Sequence, residues 1–567
     1  MELSIPKYVL NSPRLYVIGL FISLQLTALA QYQDAYYVQL VGKDTVYDAN
    51  HLISKKALDR RSKYSIPIDY QDYPVKTTYI QSLENIDSIH VRYTLKWLNA
   101  AIVESTSTAI QSLDSISFVN FTQYVGKVTA HQNVNREKMT FIQPVVKLKE
   151  SSMHTQNLTS RDYGIAYDQN KQIGILDLHQ KGWNGNGISV AVFDAGFKNL
   201  NTIPGFLKHQ ANHKLRYGYD WVNMDNTLTD FETHGTSCAS ALGAYDPGSY
   251  IGSGPLSSIT LFKTENGKTE YPIEELNWCK AAEIADSLGV DMITSSLGYN
   301  QFDDVRLNYT HSQLDGNTAF ISRVAKIAVA KGIIVLNSAG NQGHSPWQKI
   351  GFPADSREVI TVGAVDKKGD VAYFSSRGNN ANHHLKPDLS AMGVMTAVAT
   401  PKGTYNKGNG TSFSTPVVAG GVACLLQAYP HLSPAAIADL LRKTATQNHR
   451  PDSMIGYGIA RFDVAYAFQK SVEENRKIHV INTLNMEFVV LNAQDNPISY
   501  TLYLHRKFLG FIAVKKKIQS ESNVSISSAH YIPLSEIADA EPMELSIRVI
   551  GNDEKGQLKI KARCKLK

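Results

Sequence analysis

Short runs of apolar and β-branched residues alternate with amphipathic segments through the middle of the chain, and this alternation restricts the fold more than any other feature. Runs of this kind predict strands that are buried on both faces, and the segments between them predict helices that cover those faces. We therefore predict an α/β fold with three layers around a central parallel sheet. The predicted strands are 188–193, 259–265, 290–295, 332–337 and 359–365.

Three polar residues lie where predicted strands or loops meet predicted helices. Asp194 follows the apolar run 188–193, His234 opens a helix of small residues, and Ser412 precedes an apolar helical run. Taken singly, each has an ordinary structural role as a turn residue, a core or capping histidine, and a helix N-cap. Together they are the set that a serine nucleophile needs, because the histidine takes the hydroxyl proton and a buried acid orients the imidazole.

The sequence around these positions resembles the signature blocks of the subtilisin-like serine proteases, the subtilases of peptidase family S8. The order acid, histidine, serine is that of subtilisin. The resemblance covers roughly residues 165–470 and implies a subtilisin-like fold, and the segments 272–278 and 285–289 resemble a branch common in Bacteroidetes-type bacteria. The blocks that carry the resemblance are Ile188–Phe197, Thr233–Gly243, Val335–Gly343 and Gly408–Gly421.

The resemblance implies a role for each site residue. Ser412 would attack the peptide carbonyl, His234 would transfer the proton, and Asp194 would orient His234. Asn341 is implied as the side chain that binds the oxyanion together with the backbone N–H of Ser412. A glycine at the implied floor of the first specificity pocket, Gly351, predicts cleavage after aromatic or long aliphatic residues. The positions implied as substrate-binding are Ser295, Ser296, Leu297, Gly298, Ala339, Gly340 and Gly351.

The predicted chemistry requires no cofactor, and the sequence lacks the common ligand spacings of a zinc site. The four cysteines are widely spaced. Cys238 and Cys424 are interpreted as small buried apolar residues, with a bridge between them as the alternative. Structural calcium is common in the resembling family, and the loop 246–249 lies near one such position but matches it poorly. We therefore predict no metal in the chemistry and leave calcium undecided.

The chain is predicted to have five parts. The first is an export signal, because basic residues precede an apolar run that ends in a small-x-small cleavage pattern, although a retained membrane anchor is the alternative. The signal predicts a secreted or cell-envelope protein with no transmembrane segment after signal removal. The parts are the signal 1–30, a small α+β domain 31–125, a linker with the maturation site 126–165, the catalytic domain 166–470 and a small all-β, sandwich-like domain 471–567.

The domain at 31–125 is interpreted as an inhibitory propeptide. Its position between signal and protease favours this role, and the blocks 57–61 and 97–100 resemble prodomains of the same bacterial branch. A permanent accessory domain is the alternative. The role of the domain at 471–567 is left open between a stabilising cap, a sorting module and a substrate-binding module.

Composition excludes one class of partner. The net charge is only +6 over 567 residues and no run of lysine and arginine marks a nucleic-acid surface, so we predict no nucleic-acid partner. We predict a monomeric, exported serine endopeptidase that is made as a self-inhibited precursor and acts on protein or peptide substrates. The alternatives are a non-catalytic binding or adhesion protein on the same scaffold, and a narrow processing protease in place of a broad one.

Overall fold

A computed structural model gives the fold. It describes residues 32–45, 48, 52–129, 155, 157–212, 214–229 and 232–474, and the strands named below from residue 478 onward. The predicted signal at 1–30 lies outside the described residues, and so does most of the predicted linker with its maturation site.

The N-terminal region contains the α+β elements that the sequence predicts. Its strands form one sheet in the order β2-β3-β1-β4, and β1 is antiparallel to both of its neighbours. The elements are β1 (Tyr32–Leu40), α1 (Lys55–Lys63), α2 (Thr77–Glu84), β2 (Ile89–Leu95), β3 (Ala100–Ser105), α3 (Ser107–Gln111) and β4 (Val119–Thr129).

One predicted helix of this region is shorter than expected. The sequence predicts a helix over 109–116, but α3 ends at Gln111 and a 3₁₀ turn, Ser112–Ser115, follows. The Ser112 hydroxyl donates to the Ala109 carbonyl at 2.7 Å, and the Ser115 hydroxyl donates to the Ser112 carbonyl at 3.0 Å. Short polar side chains that bond to nearby backbone compete with regular helix, which accounts for the early end.

The chain divides into two compact units. Among the described residues, the smaller unit comprises those in 32–42, 76–94 and 100–129, and the larger comprises those in 43–75, 95–99 and 155–567. Helix α1 therefore belongs to the larger unit, although it lies inside the segment predicted as a propeptide.

The larger unit contains most of the regular structure. Its strands up to residue 408 are β5 (Ser189–Asp194), β6 (Leu215–Asp220), β7 (Tyr245–Asp246), β8 (Tyr250–Ile251), β9 (Ser258–Lys263), β10 (Met292–Ser295), β11 (Ile334–Ser338), β12 (Ile360–Val365), β13 (Leu389–Met392), β14 (Thr396–Ala399) and β15 (Tyr405–Gly408). Its helices after α3 are α4 (Tyr167–Gln172), α5 (Ile175–Gln180), α6 (Pro204–Ala211), α7 (His234–Gly243), α8 (Ile273–Leu288), α9 (Phe320–Ala330), α10 (Thr411–Ala428), α11 (Pro434–Thr444) and α12 (Phe462–Glu473).

The central sheet has the strand order β13-β12-β11-β10-β5-β9-β6, and its strands run parallel. This confirms the predicted parallel α/β fold. After β5 the chain adds β6 and β9 on one side, and then returns to add β10 on the other. Ligands of open parallel sheets bind outside the carboxyl ends of the strands where this reversal occurs. Asp194 ends β5 and Ser295 ends β10, so both lie at the reversal.

Helix α10 is a core element. Its apolar residues Val417, Val418, Val422 and Leu425 are fully buried. Small residues allow this close packing, because a Cβ on Gly421 would lie 2.1 Å from the Phe462 ring. Among the described residues α10 is the one helix long and apolar enough to span a bilayer. However, 83% of that stretch is buried inside the protein, and a buried core helix passes the same test.

The C-terminal region is all-β at the level of its backbone, as predicted. Its strands form two antiparallel sheets in the orders β16-β17-β20 and β19-β18-β21-β22. The strands are β16 (Ile478–Asn482), β17 (Glu487–Asn492), β18 (Ile498–Phe508), β19 (Phe511–Val524), β20 (Ser528–Pro533), β21 (Glu544–Asp553) and β22 (Gly556–Lys565).

Candidate active site

Asp194 and His234 are in direct contact at the edge of the sheet. The Nδ1 atom of His234, at the start of α7, lies 2.8 Å from Asp194 Oδ1. Gly235 permits this approach, because a Cβ there would lie 2.6 Å from the Gly196 carbonyl oxygen and 2.8 Å from Asp194 Cβ. The carboxylate is 1% exposed and the imidazole 38% exposed. A buried carboxylate therefore contacts an imidazole that is partly exposed.

The electrostatics of this pair favour a charged imidazole. The Asp194 carboxylate raises the pKa of His234 well above its ordinary value, because it stabilises the protonated ring. Burial raises the pKa of the neighbouring Cys238 thiol, so the thiol is neutral. Burial, together with the negative charge of Asp194, also raises the pKa of Glu265 to about 8.

Ser412 lies in the first turn of α10 and is brought to the same place. Its Oγ donates to the Ser296 carbonyl at 3.2 Å, and Ser296 Oγ donates to the Ser412 carbonyl at 2.8 Å. Cys238 lies between His234 and Ser412. Its Sγ is 3.4 Å from the Ser412 carbonyl oxygen and 3.8 Å and 3.9 Å from the two ring nitrogens of His234. Phe413 adds a ring whose centroid is 6.1 Å from that of His234.

Asn341 Nδ2 and the backbone N of Ser412 lie near each other beside Gly410. Asn341 Oδ1 accepts bonds from Thr411 N at 2.9 Å and Thr411 Oγ1 at 3.0 Å, which fixes the orientation of the amide. A Cβ on Gly410 would lie 3.7 Å from Asn341 Nδ2 and 3.6 Å from Ser412 N. Both nitrogen atoms therefore lie close to the same point beside Gly410.

Comparison with known proteins identifies the family of this chain. Residues 185–458 match the Subtilase family, and residues 35–140 match the Peptidase S8 propeptide domain of Bacteroidota. Subtilisin from Bacillus pumilus is 32% identical over 291 residues, which cover 50% of this chain and 91% of that protein. Subtilisin E of Bacillus subtilis (strain 168) is 31% identical over 309 residues, which cover 53% of this chain and 70% of that protein. The chain belongs to the subtilase family.

The predicted family, fold class and enzyme class are thereby confirmed. As a subtilase with subtilisins among its relatives, the chain is a serine-type endopeptidase, and it carries a propeptide region of the Bacteroidota type. Subtilases need no cofactor for catalysis.

The predicted substrate-binding residues of this subtilase lie on neighbouring loops. Residues 296–298 follow β10, and residues 339–340 follow β11, the adjacent strand. Gly298 and Gly351 approach closely, since a Cβ on Gly351 would lie 3.6 Å from Gly298 Cα. A side chain at 351 would therefore press against the segment that follows β10.

Ser295 is placed differently from the other predicted substrate-binding residues. Its side chain is buried, and its Oγ donates to Asn337 Oδ1 at 2.6 Å. Asn337 Nδ2 in turn donates to the Leu297 carbonyl at 2.8 Å. The Ser295 hydroxyl therefore supports the Leu297 segment through Asn337, and a substrate contact by Ser295 stays a prediction.

Sequence reasoning missed two residues of the subtilase site. Thr411 positions both Asn341 and Gly340, whose backbone N donates to Thr411 Oγ1 at 3.2 Å. Its place directly before Ser412 was the available signal. Cys238 was interpreted only as a buried thiol, although residues four apart on a helix are neighbours, which places it against His234.

The described cysteines are not bridged. Cys238, Cys279 and Cys424 are buried and free, so the alternative bridge between Cys238 and Cys424 is not formed. The donor atoms of Asp194, His234 and Cys238 lie within 4.8 Å of one another, a spacing that a metal ion could occupy. In the loop considered for calcium, Asp246 Oδ2 accepts a bond from the Tyr405 hydroxyl at 3.0 Å.

Proposed function

We propose that this subtilase is an exported endopeptidase in which Ser412 is the nucleophile, His234 the general base and Asp194 the group that orients the base. The observation that supports this most is the 2.8 Å contact between Asp194 and His234, with Ser412 held beside them through Cys238. The 31% identity to subtilisin E adds to it.

In the proposed reaction, Ser412 Oγ attacks the carbonyl carbon of the scissile peptide bond and His234 takes its proton. Because Nδ1 of His234 faces Asp194, the nitrogen that exchanges protons is Nε2. The oxyanion of the tetrahedral intermediate accepts bonds from Ser412 N and Asn341 Nδ2. Protonated His234 then donates to the leaving amine, and water hydrolyses the acyl-enzyme by the same steps.

We also propose that the enzyme is made as a self-inhibited precursor, is exported, and prefers an apolar residue before the cut bond. The propeptide match at 35–140 supports a self-inhibited precursor, and the pattern at 1–30 favours export to the envelope or medium. Gly351 has no side chain to fill the pocket, which favours substrates with a large apolar side chain on the residue before the cut bond. We further propose that the enzyme acts as a monomer on proteins or peptides, with no nucleic-acid partner.

The test is covalent labelling of the processed enzyme with a fluorophosphonate, followed by peptide mapping. We expect one label, on the peptide that contains Ser412, and no label in the Ser412→Ala variant. Turnover of an apolar peptide substrate should fall by about 10⁶-fold in that variant, the size of loss known for the serine of subtilisin. Ser312→Ala, a change of an exposed serine, is the control.

A label on another residue, or undiminished turnover in Ser412→Ala, would contradict the proposed nucleophile. Digestion of casein separates the two kinds of endopeptidase that the sequence left open. Extensive digestion indicates a broad enzyme, and cleavage of selected sequences alone indicates a narrow processing enzyme.

A further inference from the structure

A pocket of about 500 Å³ lies on the larger unit, and Asp194, His234 and Ser412 are not among the residues that line it. Helix α4, the turn that follows β12, the chain just beyond α11 and the segment just before α12 form its walls. Its volume is in the range of pockets that hold small organic ligands, and it far exceeds the space of about 30 Å³ that one water molecule occupies. The pocket is therefore large enough for an organic molecule.

Positive charge exceeds negative charge on the walls of this pocket. Lys367 Nζ lies 2.8 Å from Asp168 Oδ2, and Arg461 pairs with Asp463, also at 2.8 Å. Among the described residues, no carboxylate lies within ion-pair distance of Lys171 or Lys368. These two lysines therefore leave a positive charge that an anion would neutralise. The charged residues that line the pocket are Asp168, Lys171, Lys367, Lys368 and Arg461.

Hydrogen bonds hold the walls of the pocket in place. Gln172 Nε2, at the end of α4, donates to the Asp366 carbonyl at 2.8 Å and so joins the helix to the turn after β12. Within the turn, Asp366 Oδ1 accepts a bond from Lys368 N at 2.7 Å. On another wall, Ile459 N donates to Thr446 Oγ1 at 2.9 Å. Walls that are fixed before a ligand arrives lower the entropic cost of binding.

Two buried polar side chains contribute to the lining. Arg461 is 2% exposed. Gln172 Oε1 is buried and has no hydrogen-bond partner among the described residues, and the bond from Nε2 to Asp366 determines which end of the amide is the oxygen. A buried acceptor without a partner costs free energy, which a ligand donor would recover. Tyr167 and Ile459 add apolar surface. The lining therefore suits a ligand that carries an oxyanion, a hydroxyl donor and a carbon skeleton.

We propose that this pocket binds a small hydroxylated organic anion, of the class of sugar phosphates and sugar acids. Its oxyanion is held by Lys171 and Lys368, and one of its hydroxyl groups donates to Gln172 Oε1. Charge-assisted hydrogen bonds to the two ammonium groups supply most of the affinity. The site goes beyond the proposed function, because it uses none of the proposed catalytic or substrate-binding residues.

The test is calorimetric titration of the full Ser412→Ala chain with glucose 6-phosphate, glucuronate and glucose. We expect saturable binding of at least one of the two anions with a dissociation constant of about 1 mM or lower, and no binding of neutral glucose. Binding of glucose 6-phosphate alone assigns the site to phosphate esters, and binding of glucuronate alone assigns it to carboxylates. Because this variant lacks the Ser412 hydroxyl, the result does not depend on whether Ser412 is the nucleophile.

The two lysines are tested with the double variant Lys171→Gln/Lys368→Gln in the same background. The control with the same change in net charge is Lys402→Gln/Lys407→Gln, since both lysines are exposed and neither lines the pocket. We expect the dissociation constant of the sugar anion to rise by at least about 10-fold in the first variant and to stay unchanged in the second. The first variant breaks no ion pair, so it should unfold at the temperature of the parent protein, which thermal unfolding checks.

Inorganic phosphate and acetate test the need for a hydroxylated skeleton. Each should bind at least about 10-fold more weakly than the sugar anion that carries the same group, because it lacks the hydroxyl donors. Equal binding of the bare ion would reduce the site to an adventitious ion only and overturn the proposal. Absence of saturable binding by both sugar anions also overturns it, and so does equal binding by glucose or by Lys171→Gln/Lys368→Gln.

Discussion

Polar groups lie near both ends of strands β10 and β11, but they differ in burial and in how they are paired. Beyond the carboxyl ends, Asn341 Nδ2 and Ser412 N lie close to one point beside Gly410, and the His234 ring is 38% exposed. Before the amino ends, where α8 and α9 finish, Asp286 and Lys331 are almost fully buried and each contacts oppositely charged side chains.

The difference separates two uses of polar groups. Donors that are held in place without a protein partner can bind charge that develops during a reaction. Charges that are buried and fully paired specify how segments assemble, and removing one partner is costly. We therefore expect substitutions beyond the carboxyl ends of these strands to lower turnover with little effect on stability. Substitutions before the amino ends should lower stability with little effect on turnover.

The largest effect on turnover among changes that keep Ser412 is expected for Asp194→Asn. This change removes the charge that orients His234, so kcat/KM should fall by roughly 10⁴-fold. The measurement is hydrolysis of an apolar peptide substrate beside thermal unfolding. A loss of turnover that merely follows a loss of folded protein would break the separation between the two ends.

Asp194→Asn should also change the pH dependence of kcat/KM. The raised pKa of His234 adds stability in full below about pH 6.5, the ordinary value, and this stability is lost as pH rises through the folded pKa. Activity needs the neutral ring, so the acid limb of wild-type kcat/KM should lie above pH 6.5. In Asp194→Asn the limb should move to lower pH. An unmoved limb would contradict the role of Asp194.

The largest effect on stability is expected for Arg61→Ala. Removing one partner of a buried ion pair costs about 3–5 kcal/mol, and Asp72 and Asp286 both lose a partner here. Urea unfolding of the uncut chain in the Ser412→Ala background measures this cost. Lys55→Ala should change the free energy of unfolding by less than about 0.5 kcal/mol. Equal effects of the two changes would remove the distinction between paired and exposed charge.

Asn341→Ala should lower kcat by about 10²–10³-fold with little change in KM, because one of two oxyanion donors is lost. Steady-state kinetics on the same peptide measures it. Asn406→Ala, a change of an exposed asparagine on β15, serves as the control. A rise in KM at unchanged kcat would assign Asn341 to ground-state binding instead.

The smallest effect is expected for Gly351→Val. The Cβ of a side chain at residue 351 would lie 3.6 Å from Gly298 Cα, so the side chain would press against Gly298. The ratio of kcat/KM for phenylalanine over alanine before the cut bond should fall by about 10–200-fold. An unchanged ratio would place the specificity pocket elsewhere.

The parallel sheet could be predicted because each strand is a local apolar run, and the observed bounds differ from the predicted ones by one or two residues in β5, β10 and β11. The positions of Asp194, His234 and Ser412 at strand and helix ends were likewise local patterns. Their assignment to a triad came from a family resemblance as well as from residue chemistry.

The buried ionic cluster of Arg60, Arg61 and Asp286 could not be predicted from local sequence patterns. Arg60 and Arg61 contact a carboxylate 226 and 225 residues away, and no local pattern marks that pairing. The inward orientation of Ser295 was hidden for a similar reason, because its partner Asn337 lies on the neighbouring strand. Both depend on which strands and helices become neighbours, which the sequence does not state locally.

We further propose that Ser412, as the nucleophile, cuts the precursor that contains it. The most direct test of this proposal compares the denatured intact masses of the folded wild-type chain and of its Ser412→Ala variant. We predict that the wild type gives two fragments separated within 126–165 and that the variant stays in one piece. Identical masses for the two proteins, whether both cut or both whole, would contradict self-cleavage by Ser412.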